Sequence, residues 1–269
     1  MPLLFLRNRV SSSSVIGNGP VVTLTSFGTR ARSAYLAVES IGRGTLKPNE
    51  LILWLSEEDA RLASRALKRL VRRGLTIAST VDYGPHTKYY PLVARGRTKP
   101  GPFVTADDDV IYPREWLREL AKAHLDEPLL IHAHRARHMA INRGRVLSYK
   151  HWNLCSCGRA SVRHVGTGVS GVIYPDTMAR ALKTAGTAFE TVAPTADDLW
   201  LHHIALRHGI STRQIRKKPR DFYRLSSVQR HGGLWRVNVI GNGNDTQLQA
   251  LYPETAALHS GTQDPNERL

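Results

Sequence analysis

Three consecutive carboxylates, Asp107-Asp108-Asp109, directly follow the short apolar run Phe103-Val-Thr-Ala106. Neighbouring carboxylates repel one another, so a purely structural role is expensive unless a cation offsets the charge. On an extended segment Asp107 and Asp109 point one way and Asp108 the other. The outer pair is therefore expected to face one hard divalent ion, with waters and phosphate oxygens completing its shell. The competing account is a solvated acidic turn ahead of Pro113.

A second acidic pair, Asp197-Asp198, follows Thr195 at the start of a predicted helix. Acids in a first helical turn complement the helix dipole, which explains them without any function. Gly166, Gly168 and Gly171 precede Ile173-Tyr174-Pro175, and they suit either close approach of a ligand or a tight turn. Trp152 and Trp200 have faces on which a sugar could stack, although tryptophan is more often core. His132 and His134 share one face of a strand, bordering a groove or lining the sheet. His151, Cys155, Cys157 and His164 raise zinc, but a C-x-C spacing grips a tetrahedral ion poorly.

These groups must be held by elements, and the pattern is legible for the first half of the chain. Val21–Thr25, Leu51–Leu55, Leu75–Thr80, Phe103–Ala106 and Leu129–Ala133 read as short buried strands. Ser56 with Asp59 forms a capping pattern, and Ala60, Ala63, Leu67, Leu70 and Val71 predict one helix stopping at Gly74. Further helices are predicted from Pro113 to about His124, over Asp176–Lys183 and over Asp197–His208. Strands alternating with helices predict an α/β fold whose mainly parallel sheet is covered on both faces. Sites in such sheets lie beyond the carboxyl ends of the strands. Residues 142–170 predict an extended connection or a mobile loop, and residues 253–269 a loose tail.

The chain has 269 residues, 41% hydrophobic and 22% charged, which excludes general disorder. Its net charge of +16 suits nucleic acid, an anionic membrane surface or a phosphorylated small molecule. The run Arg61, Arg65, Lys68, Arg69, Arg72 and Arg73 reads first as a solvated helix face. Two cysteines give no disulfide framework, and a cytoplasmic setting is expected. No apolar stretch is long enough to span a membrane, and peripheral attachment at its inner face stays open.

Val104-Thr-Ala-Asp-Asp-Asp-Val-Ile-Tyr112 resembles the DXD segment of GT-A-fold glycosyltransferases. Val21–Arg30 is similar to the first strand and donor loop of bacterial, in style actinobacterial, polysaccharide glycosyltransferases. Asp82–Lys88 is similar to a donor-side loop, and Gly168–Pro175 and Ala196–Trp200 to the acceptor-side glycine loop and acidic helix start. Together these segments cover roughly residues 20–210.

The resemblance implies one GT-A, Rossmann-like domain over residues 1–252, with a donor half at about 20–112 and an acceptor half at 113–252. It implies Mg2+ or Mn2+ on Asp109 and Asp107, and a nucleotide-sugar donor contacting Thr25, Ser26, Arg30, Asp82, Lys88, Asp107 and Asp108. Arg30 and Lys88 would meet phosphate oxygens. Gly168, Gly171 and Trp200 would line the acceptor site, for an oligosaccharide or lipid-linked acceptor. Asp198, with Asp197, would act on the acceptor hydroxyl in an inverting enzyme. In some retaining enzymes a late histidine completes the metal shell, and His231-Gly-Gly-Leu-Trp235 faintly resembles that feature.

The expected activity is hexosyl transfer in polysaccharide biosynthesis, with GDP-mannose as the leading donor and UDP-sugars next. A sugar nucleotidyltransferase is the nearest rival. It would be expected to have a glycine-rich phosphate loop after the first strand, and Ser26–Arg30 is poor in glycine. A nucleic-acid-binding protein would explain the charge, but no helix-turn-helix, finger or RNP-like segment is present, so no specific nucleic acid is expected.

Overall fold

Successive residues of a buried strand feed opposite faces of a sheet. In β1 (Val21–Thr25) and β2 (Leu51–Leu55), Val21, Ile52 and Trp54 join one core, while Val22, Leu24, Leu51, Leu53 and Leu55 join the other. The computed structural model describes residues 2–96, 100–225 and 243–253. With β3 (Leu75–Ser79) and β4 (Phe103–Thr105), these strands form part of an eight-stranded sheet.

From one edge its order is β3, β2, β1, β4, then the strands Val172–Tyr174, Ile131–Ala133, Thr212–Gln214 and Ala160–Ser161. β1, β2, β3 and β4 are mutually parallel, whereas Val172–Tyr174 runs antiparallel to β4 and to Ile131–Ala133. The chain steps outward from β1 to β3 and then returns to lay β4 on the far side of β1. The β1/β4 boundary is therefore a topological switch point, where a crevice opens at the carboxyl ends. The antiparallel strand brings the chain before Val172 to the same edge, since Val172 pairs with Thr105 at the end of β4.

Helices cover both faces. Ala34–Gly42, Arg65–Val71 and Trp116–Asp126 contribute to one core, and Asp176–Ala185 and Asp197–Arg207 to the other. The single helix expected from Ser56 to the stop at Gly74 is instead two, Glu57–Arg61 and Arg65–Val71. Ser64 breaks it by acting as a second N-cap, its Oγ accepting from Leu67 N at 3.3 Å, as Ser56 Oγ accepts from Asp59 N at 3.1 Å.

The basic run is not a plain solvated face. Arg73 is buried and grips Glu39 through both terminal nitrogens at 2.8 and 2.9 Å, and Arg69 donates to Asn8. Residues 142–170 form a packed connection, with Trp152, Cys155 and Val165 buried. His231 and the tail from residue 254 lie outside the described residues.

Candidate active site

β1 stops at Thr25, and Ser26 follows as the chain turns into the short 3-10 helix Gly28–Arg32, which carries Arg30. β4 stops at Thr105, and the chain leaves the sheet through Ala106 into the acidic triplet. Asp108 reaches back across the switch point. Ser26 Oγ and Arg30 both donate to its carboxylate, the Arg30 Nε bond measuring 3.2 Å. Arg30 also lies 3.5 Å from Asp109 Oδ2. Asp107 takes a different cation, accepting from Lys88 Nζ at 2.8 Å.

The expected pairing of Asp107 with Asp109 is thus corrected. Asp108 and Asp109 lie in a turn, so strand alternation ends before it could sort them, and these two share Arg30.

Lys88 ends the 3-10 helix Gly84–Lys88. Its carbonyl accepts from Thr23 Oγ1 at 2.7 Å, and Trp54 Nε1 donates to the same hydroxyl at 2.8 Å. These bonds tie the Lys88 backbone to the middle of β1 while its ammonium sits among acids. Beyond Asp107, Nζ lies 3.1 Å from Asp197 Oδ2. Asp197 and Asp198 open the Asp197–Arg207 helix, and Asp198 Oδ1 accepts from Gly168 N at 3.0 Å. Gly168 stands just before the antiparallel strand, which explains how a residue so far along the chain meets β4.

Beneath Lys88, His86 is stacked on Phe189 at 4.1 Å between ring centroids. Its Nε2 meets Ala193 O at 2.7 Å and its Nδ1 meets the Tyr89 hydroxyl at 2.8 Å. Burial lowers its pKa to about 4, so the ring is neutral, with Nε2–H donating and Nδ1 accepting.

Charge in the crevice is unbalanced. Asp107, Asp108, Asp109 and Asp197 are met directly by Arg30 or Lys88, and the Lys88 charge reaches Asp198. Burial works against the Lys88 charge, but Asp107, Asp197 and Asp198 outweigh it and raise its pKa well above the ordinary value. Burial would likewise raise Asp107, yet the Lys88 charge and hydrogen bond hold it below its usual range. Asp109 lacks that compensation, and burial with the charges of Asp107 and Asp108 pushes it up to about 6. Asp198 is pushed up to about 8, chiefly by burial and then by Asp197, against Lys88 and the Gly168 amide.

Among the described residues, no three His, Cys, Asp or Glu side chains form a ready metal cage. A magnesium-like ion needs less, because it keeps waters and is bound by one or two carboxylates plus substrate phosphates. Asp109 fits that role because Arg30 and Arg224 offset its crowding by neighbouring carboxylates only in part, with Asp107 beside it. The donor set is all oxygen, as a hard ion requires.

No protein-family pattern matches the sequence, nor does any curated protein. Solved structures do match. One is a 4-diphosphocytidyl-2C-methyl-D-erythritol synthase from Anaerococcus prevotii, with TM-score 0.51 and 10% identity over 74% of this chain and 87% of that one. Others are an inositol-1-phosphate CTP transferase from T. maritima (TM-score 0.45, 11% identity, 75% and 87% covered) and a CMP:2-keto-3-deoxy-manno-octonic acid synthetase complexed with CTP (0.47, 10%, 84% and 100%). The first likeness establishes a shared fold, the GT-A-like Rossmann sheet, as expected. It also corrects the expected activity. The structure matched at TM-score 0.51 bears the name of a 4-diphosphocytidyl-2C-methyl-D-erythritol synthase and not of a glycosyltransferase, and hexosyl transfer is set aside.

Ser26, Arg30, Lys88, Asp107, Asp108, Asp109, Asp197, Asp198 and Gly168 come together at one edge of the sheet. Other expected residues do not join them. Thr25 Oγ1 is spent on Trp54 O at 3.2 Å. Asp82 is exposed and closes its own turn, accepting from Gly84 N at 2.8 Å. Trp200 is buried in the core beside Phe189 and His203, so its ring offers a sugar no face. Gly171 serves packing: at φ 88° an added Cβ would stand 2.5 Å from the Trp116 ring. His132 and His134 are buried, bonded to the carbonyls of Glu127 and Trp116, and border no groove.

Two residues were missed. The Tyr112 hydroxyl accepts from Asp107 N at 2.8 Å, and Tyr112 N donates to Ser40 Oγ at 2.9 Å, fixing the acidic turn from behind. Its position three residues after the triplet was the available signal. Arg224 pairs across the short strands Tyr223–Arg224 and Val110–Ile111, and its charge reaches Asp107 and Asp109. Nothing local in the sequence announces a pairing over that distance.

Proposed function

We propose that the protein is a metal-dependent nucleotidyltransferase that joins a nucleotide to a phosphorylated sugar or polyol. In this reaction a phosphate oxygen of the sugar phosphate attacks the α-phosphorus of a nucleoside triphosphate. The bond to the β-phosphate breaks, and pyrophosphate leaves. The observation that carries the reading is the array of Arg30, Lys88 and five carboxylates at the β1/β4 switch point, on a fold shared with a diphosphocytidyl-methylerythritol synthase.

A divalent ion on Asp109, with Asp107 beside it, would neutralise charge on the leaving pyrophosphate. Arg30 is anchored by Asp108 and keeps donors near Asp109, where it can bind a phosphate oxygen. Lys88 stays charged and can exchange a carboxylate contact for a phosphate oxygen as charge develops. Asp198, protonated around neutrality, can donate to an oxygen of the second substrate while Gly168 N holds its other face. Glycine poverty after β1 does not oppose this reading. Gly28 N is already taken by Asp59 Oδ2 at 2.9 Å, so phosphate recognition falls to side chains rather than to a backbone cradle.

The test is pyrophosphate release from each common nucleoside triphosphate with a panel of sugar and polyol phosphates and Mg2+. Release with one triphosphate, matched by a new nucleotide-sugar product, is expected. No release from any triphosphate would reject the reading.

A further inference from the structure

The Pro2–Val10 helix leaves most of its apolar side chains on its outer face. Its buried positions are Leu4 and Asn8, one turn apart. Leu4 packs on Leu36 and Leu225. Asn8 is held by polar bonds, donating to Ala66 O at 3.2 Å and accepting from Arg69 Nη2 at 2.8 Å. Arg7 adds an ion pair at 2.8 Å to Glu39, the buried carboxylate that Arg73 also grips. The helix is thus seated largely by ion pairs and hydrogen bonds.

Its outward stripe is apolar. Leu3, Leu6 and Val10 recur at helical spacing and stand 74%, 54% and 72% exposed, with Phe5 half-exposed on the flank. Soluble surfaces scatter such residues singly, and a contiguous stripe marks an interaction face. Beside it lies a groove of about 360 Å³ bordered by Leu3, Leu6, Val10, Arg7 and Arg43. Among the described residues the Arg43 Nε is a buried donor without a hydrogen-bond partner, and the charges that reach this side chain, Arg114 and Arg7, have its own sign. Arg9 lies 5.2 Å over the Phe5 ring. An arginine that only like charges reach, bordering an exposed apolar stripe, calls for an anion that arrives with hydrocarbon.

We propose that this face docks on an anionic phospholipid surface, with Leu3, Leu6 and Val10 entering the acyl boundary and Arg43 and Arg9 meeting lipid phosphates. The net charge of +16 favours that surface over a second copy of the chain, which would set these arginines against one another. Nine residues are too short to span a bilayer, so the helix would lie in the interface.

The test is cosedimentation of the full chain with vesicles of phosphatidylcholine alone or with about 30% phosphatidylglycerol, at low and high salt. Binding is expected only to the anionic vesicles, weakening with salt. The Leu3→Ser/Leu6→Ser double variant should partition at least about tenfold more weakly, and Arg43→Gln a few-fold more weakly, both with unchanged melting temperature. Three results would overturn the proposal: no binding to anionic vesicles, equal binding to neutral ones, or full binding by the double variant. A dimer in light scattering that the double variant dissolves would also overturn it and give the face to a second copy.

Discussion

At Lys88 a single ammonium, 9% exposed, separates the acidic turn from the acidic helix start. Removing it takes away the nearest counter-charge of Asp107 and Asp197 and the main one facing Asp198. Lys88→Met should therefore cost about 3 kcal/mol at pH 7.5, and less at pH 5 where the acids can protonate. Urea unfolding at the two pH values checks this, and an equal cost at both would contradict the charge argument. Asp109→Asn tests a different point. Added Mg2+ or Mn2+ with a nucleoside triphosphate should raise the melting temperature of the unaltered protein, and this rise should vanish in the variant. At this scale the sequence was informative about residue type: clustered carboxylates, Arg30 and Lys88 stood out because crowded charge is costly without a purpose. It was uninformative about direction, because the turn at Asp108 and Asp109 destroys the alternation on which the pairing argument relied.

Among the elements, β1 through β4 were legible because each is a short β-prone run, with β1, β2 and β4 buried on both faces and β3 at the sheet edge, and their bounds agree to within a residue. The split of the 57–71 helix was not, since a serine inside a periodic pattern caps only when tertiary contacts prefer the break. The antiparallel Val172–Tyr174 strand is the element that completes the site, and its approach depends on Gly171. Gly171→Ala meets both an unfavourable φ of 88° and the Trp116 ring at 2.5 Å. A loss of about 2 kcal/mol or more is expected. Chemical denaturation reads it, and a loss under about 0.5 kcal/mol would mean that Trp116 moves aside freely. Trp200 illustrates the limit of residue type at this scale. The helix that begins with Asp197 at the crevice carries Trp200 into the core one turn later.

For the molecule as a whole, pH dependence follows from groups that differ between folded and unfolded chains. Burial holds His86, His134 and His202 at about 4, against 6.5 when unfolded. The unfolded chain then binds more protons between those values, so their contribution is complete above about 6.5 and is lost as pH falls to about 4. Asp198 acts in the opposite sense. Its folded value of about 8 lies above the ordinary 3.8, so the folded chain keeps a proton that the unfolded chain releases, and stability declines as pH climbs between them. Three histidines outweigh Asp198 and, up to about pH 6, Asp109, so the urea midpoint should peak near pH 6.5 and fall on both sides. Asp198→Asn should flatten the alkaline limb and steepen the acid one, and a level profile from pH 4 to 6.5 would refute the buried neutral histidines.

Leu225 sits with Leu4 and Leu36 through its side chain while its backbone N donates to Asp109 O at 2.8 Å. One residue is therefore a shared hinge pin for the Pro2–Val10 helix and the acidic turn. Trimming residues 2–10 removes no atom of the crevice, yet it should loosen Asp109 and weaken its grip on a divalent ion, which calorimetric titration of the trimmed chain would register.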